Sequence, residues 1–397
     1  MSAEALRMPR SEFGRAHVHA VAGCYFVASF AALGLPPYLT EILPELGDRD
    51  ARWAGVLYVV PTVFGALGAP LWGRLADRFG RKRLLLRAQL GLAVSFLLAG
   101  WADSLATFTV ALVLQGILGG TFAASNGYLG AALEGPALSK ALTLMQGSAR
   151  AALVAAPIVV GSLSGWLSPH RQYALLAVLP LTAALLLAAL PEPAPAGQRR
   201  REPETAVAKA PARVSLRGLF ALEFAFVFST VISFPYLIEL VDERLPGTSP
   251  TLTGVLFALP HLCYLVSALT VHSVFQDRPR AGLALGFACI ALGLAGHGIA
   301  ASLPALIAVR LLLGAGLTLG LVCLSVLAAD CAKGRSPGRM FGSLELFSKA
   351  GAVAAGVTAA AGSVRYGPAA PVLIGGAAAA VTAALLPTLL LRTRWSH

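Results

Sequence analysis

The sequence predicts an all-α membrane protein of twelve transmembrane helices, arranged as two pseudo-symmetric six-helix bundles. Three observations carry this. Of 397 residues, 57% are apolar and 13% are Asp, Glu, Lys or Arg, against about 45–50% and about 25% in soluble domains. The apolar residues gather in twelve blocks, each long enough to cross about 30 Å of hydrocarbon at ~1.5 Å per residue. One polar stretch rich in Pro and Ala, residues 191–215, divides the blocks six and six. So little charge excludes an ordinary cytosolic enzyme, a disordered chain and a fibrous repeat.

Along the chain, spans 1–6 are read at 17–38, 53–76, 84–101, 104–129, 140–166 and 172–190. Spans 7–12 are read at 216–240, 251–274, 281–300, 303–328, 340–362 and 368–391. Alternation of period two is absent, which argues against an outer-membrane barrel. Span 1 follows Arg7, Arg10 and Arg15. Spans 2 and 3 are joined by a loop region holding Arg74, Arg78, Arg81, Lys82, Arg83 and Arg87, and span 5 follows Lys140. The linker and its flank carry Arg199, Arg200, Arg201, Lys209, Arg213 and Arg217. Arg278 and Arg280 separate spans 8 and 9, Lys333, Arg335 and Arg339 separate spans 10 and 11, and Arg392 and Arg394 follow span 12. That side holds 23 basic residues, against five in the opposite loops (Arg49, Arg52, Arg171, Arg244, Arg365). Basic loops stay cytoplasmic, so both termini are expected in the cytoplasm of a multi-pass protein of the inner (plasma) membrane. The net charge of +12 is then a matter of topology, and no nucleic-acid partner is expected.

The first 16 residues are polar and the following block is long enough to span, so it reads as an uncleaved anchor. The five cysteines lie in or at the edges of spans with no CxxC, and read as packing residues. The expected units are a bundle over 1–190, a cytoplasmic linker over 191–215 and a second bundle over 216–397. Internal matches support a duplication: Asp77-Arg78 after span 2 with Asp277-Arg278 after span 8, and LQGILGG (114–120) with LLGAGLTLG (312–320). Parallel repeats of this kind are one plan of secondary transporters.

The loop GRLADRFGRKR (73–83) resembles the motif between spans 2 and 3 of the major facilitator superfamily. The matching residues are Gly73, Asp77, Arg78, Gly80, Arg81 and Lys82. GLPPYL (34–39), at the end of span 1, is also similar to the family. The resemblance implies the major facilitator fold and a cytoplasmic gate formed by this loop. Span 2 has small residues at Gly65, Ala69 and Gly73, and span 11 at Gly351, Ala355 and Ala359; such stripes permit close approach. Family architecture would pair them, placing Asp77 at the positive end of span 11 near Gly338. AAPIVVGSLSG (155–165) in span 5 is similar to the Gly-Pro-x-x-Gly-Gly stretch of drug/proton antiporters. It departs from that stretch at Ala156 and Val160. Pro157, Gly161 and Gly165 would put a packing face on the helix, around a proline kink. The arginine usual in span 4 of that branch is missing from VALVLQG (110–116), and Arg310 stands in span 10 instead.

Ionisable residues inside spans are costly and are functional candidates by default. Arg150 in span 5 and Lys349 in span 11 sit at matched depth, which suits an anionic or zwitterionic substrate. Lys349 has Glu345 at i−4, a favourable helical pair. Glu223 and Glu345 are the acids well inside the spans, each a proton carrier or a structural partner. Arg310, Asn126 and Gln146 complete the candidate substrate contacts. His261 and His297 read first as packing residues.

There is no GxxxxGK[ST], HExxH or EF-hand loop, so neither ATP nor an enzymatic reaction is expected. No cofactor is expected, and a proton gradient would supply the energy. The reading is proton-coupled efflux of a small organic molecule (a metabolite, siderophore or drug) by a monomer whose partners are its substrate and the bilayer. The alternatives are a proton-coupled importer and a broad drug efflux pump.

Overall fold

The computed structural model describes residues 14–133, 135–192, 215–332 and 337–390. Linker residues 193–214, the expected Arg7 and Arg10 anchors, Lys333, Arg335, Arg392 and Arg394 lie outside that set. Among the described residues eleven helices are long and apolar enough to cross a membrane, and span 2, Ala54–Phe79, has a shorter apolar part, Ala54–Ala69, which is consistent with twelve spans. In hydrocarbon the backbone must bond to itself, which is why each apolar block closes into a helix.

Helix starts follow local chemistry. Ser104, Ser215 and Ser249 each accept from a backbone N–H three residues on, opening spans 4, 7 and 8. Such caps satisfy donors that the first turn leaves free. Pro250 and Pro279 occupy first helical positions, where their missing N–H costs nothing. Spans 5, 10 and 11 are longer than hydropathy implies, at Gly135–Leu163, Leu303–Ala332 and Pro337–Tyr366.

Two spans repeat one break. The helix Arg15–Gly34 of span 1 passes through a 3₁₀ turn, Pro36–Tyr38, into the short helix Leu39–Ile42. The helix Leu216–Val231 of span 7 passes through Phe234–Tyr236 into Leu237–Arg244. Pro37-Tyr38-Leu39 and Pro235-Tyr236-Leu237 are the shared letters. This match between the halves was missed in the sequence.

The twelve spans place the start of span 1 and the end of span 12 at one end of the molecule, here the terminal end; the other is the distal end. The bundles meet at the distal end. One apolar cluster there mixes Leu35, Tyr38 and Leu57 of the first bundle with Ile232, Tyr236 and Ala359 of the second. Another packs Tyr58 and Leu153 against Phe234 and Leu256. Two further clusters each stay within one bundle.

Spans 2 and 11 do cross, but not through Gly65 and Gly351 of the expected stripes. Gly55 meets Gly356 and Ala360, and Gly356 meets Val59. Gly65 instead faces Gly116 of span 4, and Gly351 faces the backbone of Phe224 in span 7. The cause is helical phase: residues 55 and 65 point to different neighbours, and a list of small residues carries no direction. At the terminal end, a side chain added at Gly73 or Gly342 would meet nothing within 4 Å. Gly55→Val should therefore lower the thermal midpoint of the purified protein, by the about 1–3 kcal/mol usual for overpacking. Gly73→Ala should leave the midpoint unchanged in the same melt.

Candidate functional site

Arg150 lies near the middle of the 29-residue helix of span 5, and Lys349 near the middle of span 11. Between them the bundles bring several polar side chains together. The Arg150 guanidinium lies over the Tyr264 ring, 5.5 Å from its centroid. Its Nη1 is 3.5 Å from Nδ1 of His261. Tyr25 and Glu223 are close enough to interact with its charge. Glu223 accepts a hydrogen bond from Ser348 and lies in the field of Glu345. Lys349 Nζ is 3.5 Å from Glu345 Oε1 along one helix turn. Among the described residues no carboxylate lies within 4.0 Å of Arg150.

The acid–base pattern is thus asymmetric. Lys349 has its counter-charge on its own helix. Arg150 has an aromatic face, an imidazole and a more distant carboxylate. A guanidinium recognises planar carboxylates through paired N–H donors, so Arg150 retains capacity for an anionic group. Glu223 stands across the interface from it, on span 7. Asn126 is half-buried with Oδ1 unpartnered, and Gln146 is exposed; nothing shown ties either to this cluster.

Arg310 belongs elsewhere. It is 1% exposed, inside the second bundle. Nε donates to Leu256 O at 2.7 Å and Nη2 to Phe257 O at 2.8 Å. Pro260 has no N–H for Leu256 O, the carbonyl four residues earlier in the helix. Arg310 supplies the missing donor from span 10. It is a structural residue where substrate contact was expected, because a proline on another span created its partner.

Arg87 was read as a loop anchor and is likewise structural. Span 4 is broken at Gly119 and Gly120, the latter at φ +82°, into Leu105–Leu118 and Thr121–Ala132. The freed carbonyls find donors on neighbouring spans. Arg87 donates to Leu118 O at 2.8 Å, with longer contacts to Ile117 O and Gly119 O. Trp72 Nε1 donates to Ile117 O at 2.6 Å, and Arg87 stacks 3.4 Å from the Trp72 ring centroid. The paired glycines in LQGILGG were the available signal.

The loop between spans 2 and 3 is built around Gly80, at φ +99°, a conformation glycine adopts without strain. Lys82 Nζ donates to Ala188 O at 2.8 Å and to Leu190 O, and its backbone N–H to Glu192 Oε1 at 3.3 Å. The loop therefore caps span 6 within its own bundle. Arg81 lies against Gly127 of span 4, and Arg78 is exposed beside Phe79. The side chain of Asp77 lies outside those described. In span 5, Pro157 O accepts from Tyr38 at 2.6 Å, and Gly161 packs on Pro250 of span 8. Gly165 lies past the helix end and meets nothing within 4 Å.

Two six-helix bundles meeting over a cluster of partly exposed charged side chains define a membrane transporter and not an enzyme. The family model of the Major Facilitator Superfamily matches residues 21–244, more than half of the chain, and the chain belongs to that superfamily. It is 33% identical over 169 residues to the multidrug resistance protein MdtG of Proteus mirabilis, covering 41% of this chain and 40% of that one. MdtG of Yersinia enterocolitica is 33% identical over 171 residues, covering 42% and 39%. The matches span about two fifths of these relatives' length. Among solved structures, a POT family transporter in complex with 5-aminolevulinic acid superposes with TM-score 0.74 at 12% identity, covering 94% of this chain and 96% of that one. The human organic anion transporter MFSD10 superposes with TM-score 0.64 at 21% identity, covering 93% and 98%. These likenesses show the fold.

Replacing Arg87 by Ala should destabilise the protein by about 2–4 kcal/mol, since buried carbonyls lose a charged donor. Trp72→Phe should cost less, and the two changes together should be non-additive in a thermal or denaturant melt, because both donors serve one break.

Proposed function

We propose that this transporter exports a small organic molecule bearing a carboxylate, alone or as part of a zwitterion, in exchange for protons. The single observation that carries the reading is Arg150, half-buried at mid-depth, with no carboxylate within 4.0 Å among the described residues. The anionic group binds Arg150 over Tyr264, and a cationic group, where present, faces Glu223. Glu223 and Glu345, on spans 7 and 11, are the proton carriers of this scheme. Lys349 holds Glu345 and adds to the positive field.

The bundles rock about this cluster, exposing it to alternate sides. The charge split of the loops supports cytoplasmic termini, and the bacterial relatives support the inner membrane. The distal end, closed here, then faces outward, and the loop 73–83 is the inner gate. The name of the MdtG relatives and the small-residue face of Pro157 and Gly161 support export over import. A metabolite or siderophore suits the charge at Arg150. A broad drug pump, the second reading, is supported by the same relatives.

Cells carrying Arg150→Ala should lose export of an organic anion, with salicylate as the probe, by at least about tenfold, the worth of one charge-assisted bond. Export of the cationic dye ethidium should persist. A proton uncoupler should abolish both in the parent. Equal loss of both probes in the variant overturns the substrate-charge reading.

A further inference from the structure

His261 is a buried side chain that the transport scheme leaves without a task. It sits in span 8 beside Pro260 and is 1% exposed. The rings of Phe234 and Phe257 flank it at 5.8 and 5.9 Å. Its Nδ1 faces Nη1 of Arg150 at 3.5 Å, across the interface between the two bundles. A guanidinium has donors only, so Nδ1 is the acceptor and the imidazole is neutral. Arg310 is near enough for its charge to act on His261. Two cations acting on one imidazole leave it no role but acceptor. Tyr264 of span 8, Tyr25 of span 1 and Glu223 of span 7 also act on the charge of Arg150.

We propose that His261 is the positioning residue that locks the empty transporter. With no substrate present, Arg150 donates to His261 and ties span 5 to span 8. The tie lies on the same pair of spans as the distal contacts of Gly161 with Pro250 and of Gly254 with Pro157. It therefore adds to the force holding the distal end shut. A carrier that reoriented while empty would dissipate its driving gradient, and this bond opposes that step. A carboxylate reaching Arg150 competes for the same donor. A charge-assisted bond to a carboxylate is stronger than one to a neutral nitrogen, so loading releases the tie. This last step rests on the reading of Arg150 as the anion contact; the lock itself does not.

The test uses the full-length protein in lipid nanodiscs without substrate. Its five cysteines are replaced by alanine, and spin labels are placed at Arg49→Cys and Glu243→Cys. Both positions are exposed at the distal end, Arg49 in a loop of the first bundle and Glu243 in the last turn of the helix Leu237–Arg244 of the second. Double electron–electron resonance then reads how far the distal ends separate. The parent should give one short distance. His261→Leu should raise the ratio of long to short distances about three- to tenfold, the worth of one weak bond to a charged donor. Arg150→Leu should do the same from the other partner, and keeps the test intact if His261→Leu does not fold. The double variant should add nothing, and His261→Gln, which keeps an acceptor, should restore the short distance. Unchanged distances in both single variants, or simple addition in the double, overturn the lock. Because no substrate is present, that failure is separate from a failure of the salicylate and ethidium assay.

Discussion

A carbonyl freed from its helix inside hydrocarbon has no water to turn to, and that constraint organises this molecule. At two breaks made by glycine or proline, a donor arrives from another span. At Gly119 and Gly120 the donors are Arg87 and Trp72. At Pro260 the donor is Arg310. Away from the breaks, Tyr38 also donates to Pro157 O, and the first-turn Gly55 N–H donates to Tyr236 at 3.1 Å across the bundles. Each leaves few polar groups unpaired where pairing is obligatory. Each also fixes the distance between two spans, so the breaks and the packing are one design.

This division sorts the arginines. A guanidinium within a span is expensive, and the structure gives three of them different work. Arg87 and Arg310 spend their donors on backbone carbonyls. Arg150 meets a ring and an imidazole, and sits where the two bundles meet. In the proposed function, its position at the interface lets one contact bear on both substrate and rocking. The small-residue crossings at Gly55 with Gly356 and at Gly161 with Pro250 bring the distal ends close enough for such a bond to matter.

Much of the fold was legible in the sequence. Twelve apolar blocks and the one-sided basic loops require only composition and spacing. The loop from Gly73 to Lys82 carries the family likeness on local letters alone. Arg150, Glu223, Glu345 and Lys349 were legible as a set because charges inside spans are few. The roles of Arg310 and Arg87 were not legible, because the carbonyl each one serves is on a different span and is free only for a local reason there. The stripe Gly65, Ala69 and Gly73 misled for a related cause: small residues state that something approaches, without stating what. His261 was read as packing, since its partner Arg150 is brought to it only by the tertiary fold.

The central claim is that Arg310 serves the backbone and Arg150 serves the cargo. Thermal unfolding of Arg150→Gln and Arg310→Gln, side by side in one detergent, tests it most directly. Arg310→Gln should lose about 3–5 kcal/mol of stability, as expected when a buried charged donor is removed from two carbonyls. Arg150→Gln should unfold within about 1 kcal/mol of the parent, having lost no bond that the backbone requires. The reverse order, with Arg150→Gln the less stable, would contradict the account.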